Sequence, residues 1–175
     1  SENREQILLQ AFSNRMIEAS YIMSVPIPND DMRTGNVTMS INDRVAAIQQ
    51  EIEKHHPNFR LSPNHTFAMI YIDGLSGCET FVLQALYLSG RFPIPFIGGS
   101  AGGKLDFTHT YIFNNTEWIE NHAVITLIRL KKTYRYGIFK TQAVERTNTS
   151  FTIGSANMTL RYVNTIMTAD GQQRS

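Results

Sequence analysis

A single cysteine, Cys78, stands in a chain of 175 residues, so an internal disulfide is excluded, and so is a zinc site built from clustered thiolates. The expected setting is a reducing cytoplasm. Charge of one sign is scarce too. Sixteen Lys and Arg against fifteen Asp and Glu leave a net charge of +1, too little to gather nucleic acid or anionic lipid through a long-range field. Long hydrophobic runs are missing: the longest apolar stretch, Ala123 to Leu130, falls well below the roughly 20 residues that span a bilayer. The opening residues Ser1-Glu2-Asn3-Arg4 hold no apolar segment of signal-peptide type. There is no internal repeat and no low-complexity linker. What remains is ordinary for a folded chain, with 42% hydrophobic and 18% charged residues, and residues 1–175 are expected to form one domain.

Ile7, Leu8, Ala11, Phe12 and Met16 recur at spacings of three and four, which predicts an amphipathic helix from Arg4 to Ala19. Pro26 and Pro28 stop regular structure, and the segment from Pro28 to Gly35 reads as an exposed loop rich in turn-forming residues. Ser40 and Asp43 form a capping box, and Val45, Ile48 and Ile52 follow at helical spacing, so a helix is expected over 41–55. His55 and His56 at its end point about 100° apart on a helix, which suits a solvated terminus better than a metal site. Phe67 to Ile72 is a continuous apolar run, as in a strand buried on two faces. Ser76 and Glu79 form a second capping box, predicting a deeply packed helix from Cys78 to Leu88 that Gly90 closes. Pro93 to Ile97 reads as a strand, and the cluster Gly98 to Gly103 as the turn that leaves it. Further strands are expected over 108–113, 123–130, 134–141, 150–154 and 158–163, with a turn at Asn114-Asn115. Helices early and strands late point to an α+β fold, its sheets mixed but largely antiparallel and covered by helices.

Two segments carry possible chemistry. Asp73-Gly74-Leu75-Ser76-Gly77 joins a strand to a helix, and the N–H groups near Ser76, Gly77 and Cys78 are placed to face a carboxylate or phosphate. The structural alternative is that Ser76 caps the helix and Gly74 turns the chain. Gly98-Gly99-Ser100-Ala101-Gly102 matches the G-x-S-x-G nucleophile elbow, but Lys104 to Tyr111 reads as turn and strand where an elbow needs a helix, and only His109 and His122 follow Ser100. The glycines are better explained by unusual backbone angles and close approach, either to a ligand or to a neighbouring strand, with Gly99 at the turn. Cys78 near a helix start is a thiolate candidate or a core residue.

Taken together, Phe67 to Glu79, Ile94 to Gly102 and Thr110 to Phe113 resemble the N-terminal FIST domain in residues, order and spacing. The similarity is strongest over 66–165 and runs through Phe139 to Gln142 and Arg146-Thr147 towards Tyr162. This resemblance implies a sensory domain of a bacterial signal transduction protein, binding a small molecule such as an amino acid, with no catalysis, cofactor or metal. Asp73, Gly74, Ser76, Gly77, Gly98, Gly99, Ser100, Ala101 and Gly102 are then the expected ligand-binding residues. It further implies a four-layer αββα arrangement and a partial domain, whose partners in a longer chain are a FIST C-terminal domain and an output module. Two other readings stay open: a protein-interaction scaffold without a ligand, and a serine or cysteine hydrolase using Ser100 or Cys78.

Overall fold

A computed structural model of the chain describes residues 9–102, 107–140, 145–157 and 162–174. Strand β1 (Ile17–Pro26) is followed by a one-turn helix α1 (Asp30–Arg33) and by α2 (Ile41–Glu53). Next come β2 (Thr66–Asp73), α3 (Glu79–Ser89) and β3 (Phe96–Ala101). A short hairpin, β4 (Ile112–Phe113) and β5 (Trp118–Ile119), leads into β6 (His122–Leu130). The chain closes with β7 (Phe151–Asn157), β8 (Tyr162–Thr168) and β9 (Gln173–Arg174).

Four strands form the main sheet in the order β1-β6-β2-β3. Only β2 and β3 run parallel, which their connection through α3 allows, and the remaining pairs are antiparallel. The α+β expectation is met. Strand alternation sends Met23, Val25, Ala68, Ile70, Ile72, Ala123, Ile125 and Leu127 to one face, where Val45, Ile48 and Ile52 of α2 and Phe81, Val82 and Ala85 of α3 pack on them. Phe67, Met69, Ile128 and Leu130 face the other way, under Met16, Ile17, Tyr134 and Tyr136. The continuous apolar run of β2 is explained by burial on both faces. The helices α2 and α3 cover one face of this sheet, so the described residues hold one helical layer rather than the two of an αββα stack.

The second helix matches its sequence signature, since Ser40 is the N-cap and its hydroxyl accepts a hydrogen bond from Asp43 N at 3.1 Å. At the far end of α2 the His55 ring bridges to β1, contacting Tyr21 Oη at 3.2 Å and Ser24 O at 3.4 Å, and burial pushes its pKa below the usual imidazole range.

Several expectations are overturned. No helix occupies 9–19: residues 1–8 lie outside the described region, and Ile17 already begins β1, an edge strand paired in register with Leu130 to His122 of β6, a partner that local spacing does not encode. The 28–35 loop holds α1 and is anchored inward. Arg44, fully buried, reaches it with Nη2 donating to both oxygens of Asp31 at 2.9 and 2.8 Å and Nη1 donating to Pro28 O. Residues 134–140 form no strand, because Tyr134 and Tyr136 lay their rings over the second face of the sheet, Tyr136 Oη donating to Thr66 O at 3.2 Å; residues 141–144 lie outside the described region. The strand expected over 108–113 shrinks to Ile112–Phe113. That of 150–154 extends to Asn157, while 158–161 fall outside the description and pairing resumes at Tyr162. Finally, α3 is not packed all round: Leu83, Tyr87 and Leu88 are exposed.

Candidate functional site

The two glycine segments meet at one edge of the main sheet. Because β2 and β3 are parallel and in register from Ala68–Phe96 to Asp73–Ala101, their carboxyl ends lie side by side, and α3 begins at the same edge. Gly74 N donates to Ala101 O at 3.1 Å, and a Cβ on Gly74 would stand 2.5 Å from that oxygen. Glycine at 74 is therefore required by contact between strands.

The expected turn at the glycine cluster is not a turn. Gly98, Gly99, Ser100 and Ala101 belong to β3, which starts three residues later than Pro93, because two prolines near its start cannot donate to the ladder and push pairing onward. Gly98 has φ +153° and its absent Cβ would lie 1.8 Å from Ile70 O, so here the close approach is to the neighbouring strand. Around Gly99 and Gly102 the space is open, and both are exposed together with Ser100. Gly103 lies outside the described residues.

Asp73, 2% exposed, uses its carboxylate internally: Oδ1 accepts from Leu75 N at 2.9 Å and Oδ2 from Asn121 N at 2.6 Å. It thereby ties the loop after β2 to the loop before β6, where Asn121 sits at φ +52°. Ser76 is buried as well, donating to Asp73 O at 2.6 Å and accepting from Cys78 N at 3.2 Å, while Ser76 N donates to Asp73 O at 3.1 Å. Of the N–H groups expected to face outward, those of Ser76 and Cys78 are thus held within the loop. Ser76 is not the helix cap either. That position falls to Cys78, because Gly77 at φ +64° inserts a left-handed step between them.

Ser100 lies within β3 opposite Ile72, not on a strand-to-helix elbow, and its hydroxyl donates to Glu79 Oε1 at 2.8 Å on the first turn of α3. Cys78 is fully buried in the core, its Sγ 3.8 Å from Met32 Sδ. Among the described residues no group of three His, Cys, Asp or Glu is arranged to hold a metal ion.

Sequence reasoning placed β4 and the turn at Asn114-Asn115 but missed β5 after it, and so the hairpin. Pairing of β6 with β2 brings Asn121 to Asp73, so the hairpin just before β6 borders the same edge. It exposes Tyr111, Phe113 and Trp118, with Phe113 and Trp118 rings 5.1 Å apart. His109 stacks on Tyr111 at 5.9 Å and its Nδ1 lies 2.8 Å from Glu120 Oε1. The signal was available: aromatic residues flank the Asn114-Asn115 turn, and exposed aromatics on a hairpin bury little core.

The model of the FIST N domain matches residues 7–167, reaching upstream of the motif-bearing segments to include β1, α2 and the Arg44 anchor. No protein of curated function and no solved structure matches the chain significantly. With that match spanning nearly the whole sequence, and its two glycine segments joined at one edge of the sheet, this chain belongs to the FIST family through its N domain.

Proposed function

We propose that the chain is the ligand-sensing part of a signal transduction protein, non-enzymatic and cytoplasmic, and that it binds a small molecule at the carboxyl edge of β2 and β3. The family is commonly a sensory domain in signal transduction. The supporting observation is the meeting of the two glycine segments where parallel strands end, since open sheets with parallel strands tend to bind ligands in the crevice beyond those ends. Recognition falls to what is exposed there: the Ser100 hydroxyl with Glu79, the backbone of Gly99 and Gly102, and the aromatic faces of the hairpin. Asp73, Gly74, Ser76, Gly77, Gly98 and Ala101 shape that edge. An amino acid is the first candidate, its ammonium facing Glu79 or Glu120 and its side chain an aromatic ring.

A panel of amino acids and related metabolites tests this by thermal shift. A ligand that binds only the native state should stabilise it by about 2.7 kcal/mol at a hundredfold excess over Kd. Ser100→Ala should leave the fold intact and weaken that ligand by about 0.5–1.5 kcal/mol. An absence of any shift across the panel counts against sensing by this chain.

A scaffold reading draws on the outer face of α3, where Leu83, Tyr87 and Leu88 are exposed. If that face docks a partner, Tyr87→Glu should abolish the complex without altering stability.

A further inference from the structure

The opposite end of the main sheet carries a concentration of positive charge that the sequence total hides. A cleft of ≈ 470 Å³ opens where β2 begins and β6 ends, and Glu18, Arg60, Ser62, His65, Arg129 and Lys132 line it. Three permanent cations face one carboxylate there, in a protein whose net charge is +1. Glu18 is spoken for. It sits at the bulge of β1, 3.3 Å from Arg129 Nε, and so balances Arg129 alone. Arg129 Nη1 donates to Arg60 O at 2.8 Å, which holds the guanidinium against the wall of the cleft. The guanidinium of Arg60 and the ammonium of Lys132 have no ion-pair or hydrogen-bond partner among the described residues.

His65 adds a donor. Arg135 Nη1 lies 3.3 Å from His65 Nδ1, and a guanidinium can only donate, so Nδ1 accepts and Nε2 carries the ring hydrogen. The cleft therefore offers donors of several geometries with little to neutralise them. Guanidinium forks match phosphate and carboxylate oxygens, and a volume of this size suits a small metabolite rather than a polymer.

We propose that this cleft is a second small-molecule site, selective for a compact dianion, whether a phosphate ester or a dicarboxylate. It shares no residue with the glycine edge, so either site stands or falls without the other. The probes are inorganic phosphate, pyrophosphate and succinate, each titrated calorimetrically into the whole chain at constant ionic strength. Saturable binding with one site per chain is expected for at least one probe, and the ranking of phosphates against succinate identifies the head group. Arg60→Gln combined with Lys132→Gln should weaken it by about tenfold or more, as loss of charge-assisted contacts requires. Both residues are exposed or lie on a loop, so the variant should keep the thermal stability of the parent. Glu18→Gln, which removes the opposing charge, should tighten binding, while Ser100→Ala at the far edge should not alter it. The proposal is overturned by the absence of saturable binding for all three probes, by affinity indifferent to the double substitution, or by failure of Glu18→Gln to tighten it.

Discussion

At Gly98 and Gly99 two adjacent glycines have opposite structural demands. Gly98 combines φ +153° with an absent Cβ that would lie 1.8 Å from Ile70 O, whereas Gly99 faces open space. Gly98→Ala should therefore cost about 3 kcal/mol in urea denaturation, through backbone strain and a clash between strands. Gly99→Ala should change stability by no more than about 0.5 kcal/mol, and equal losses in the two variants would refute this account. Asp31 is decided at the same scale. Its carboxylate accepts from Met39 N and Thr38 N and pairs with Arg44, whose side chain is fully buried, and these hold its pKa well below the usual carboxylate range against the opposing effect of burial. A depressed folded-state pKa adds stability that is complete above the unfolded value of about 3.9 and is lost as pH falls below it. Asp31→Asn should destabilise by about 3 kcal/mol at neutral pH by stranding a buried charge. That gap between variant and parent should shrink as pH drops from about 4 towards 2, and a gap independent of pH would exclude the ion pair as its source.

Among the elements, two helices show how one signature leads to two outcomes. Ser40 and Ser76 each precede an acidic residue by three positions. At α2 the serine caps: Ser40 Oγ also donates to Asp43 Oδ2 at 2.6 Å, and Ser40→Ala should cost about 1 kcal/mol by thermal denaturation. At α3 the left-handed Gly77 displaces Ser76 from the cap, leaving its hydroxyl bridging Asp73 O and Cys78 N. Ser76→Ala removes both of these hydrogen bonds, and should cost about 0.5–1.5 kcal/mol while also loosening the loop that Asp73 ties to Asn121. Should Ser76→Ala prove neutral, the loop would be held by Asp73 alone.

Across the whole molecule, stability is expected to be uneven. The central strands β2 and β6 are paired on each side and buried on both faces. In contrast, β7 to β9 form a separate three-stranded sheet that packs chiefly on itself and exposes Phe151, Ile153, Tyr162, Val163 and Met167. A small sheet with solvent on both sides is marginal, so its amides should exchange with deuterium much faster than those of β2 and β6. Equal protection in the two sheets would show that the second one is held by more than its own pairing. Ligand at the glycine edge should slow exchange around residues 99–102 and 111–118 without reaching β7.

Local chemistry was enough to identify α2, β2, β6 and the αL cap at Gly90, where Ser40, the six-residue apolar run Phe67 to Ile72 and a helix-ending glycine each act within their own segment. It also singled out the Asp73 and Gly98 segments, which the family resemblance joined as a pair. Partners distant in sequence settled the rest. Whether 17–19 coil or pair depends on β6, more than a hundred residues away, whose strand takes up the backbone groups that face it in place of bonds within a helix. The direction of an Asp73 oxygen depends likewise on Asn121, and the need for glycine at 98 on Ile70. Residue types announced which positions were special. Only tertiary contact decided that Gly74, Gly98 and Ala101 serve the joint between β2 and β3, that Asp73 turns to the loop before β6, and that Gly99, Ser100 and Gly102 stay open to solvent, because close approach between backbones depends on where two strands come to lie and not on either strand by itself.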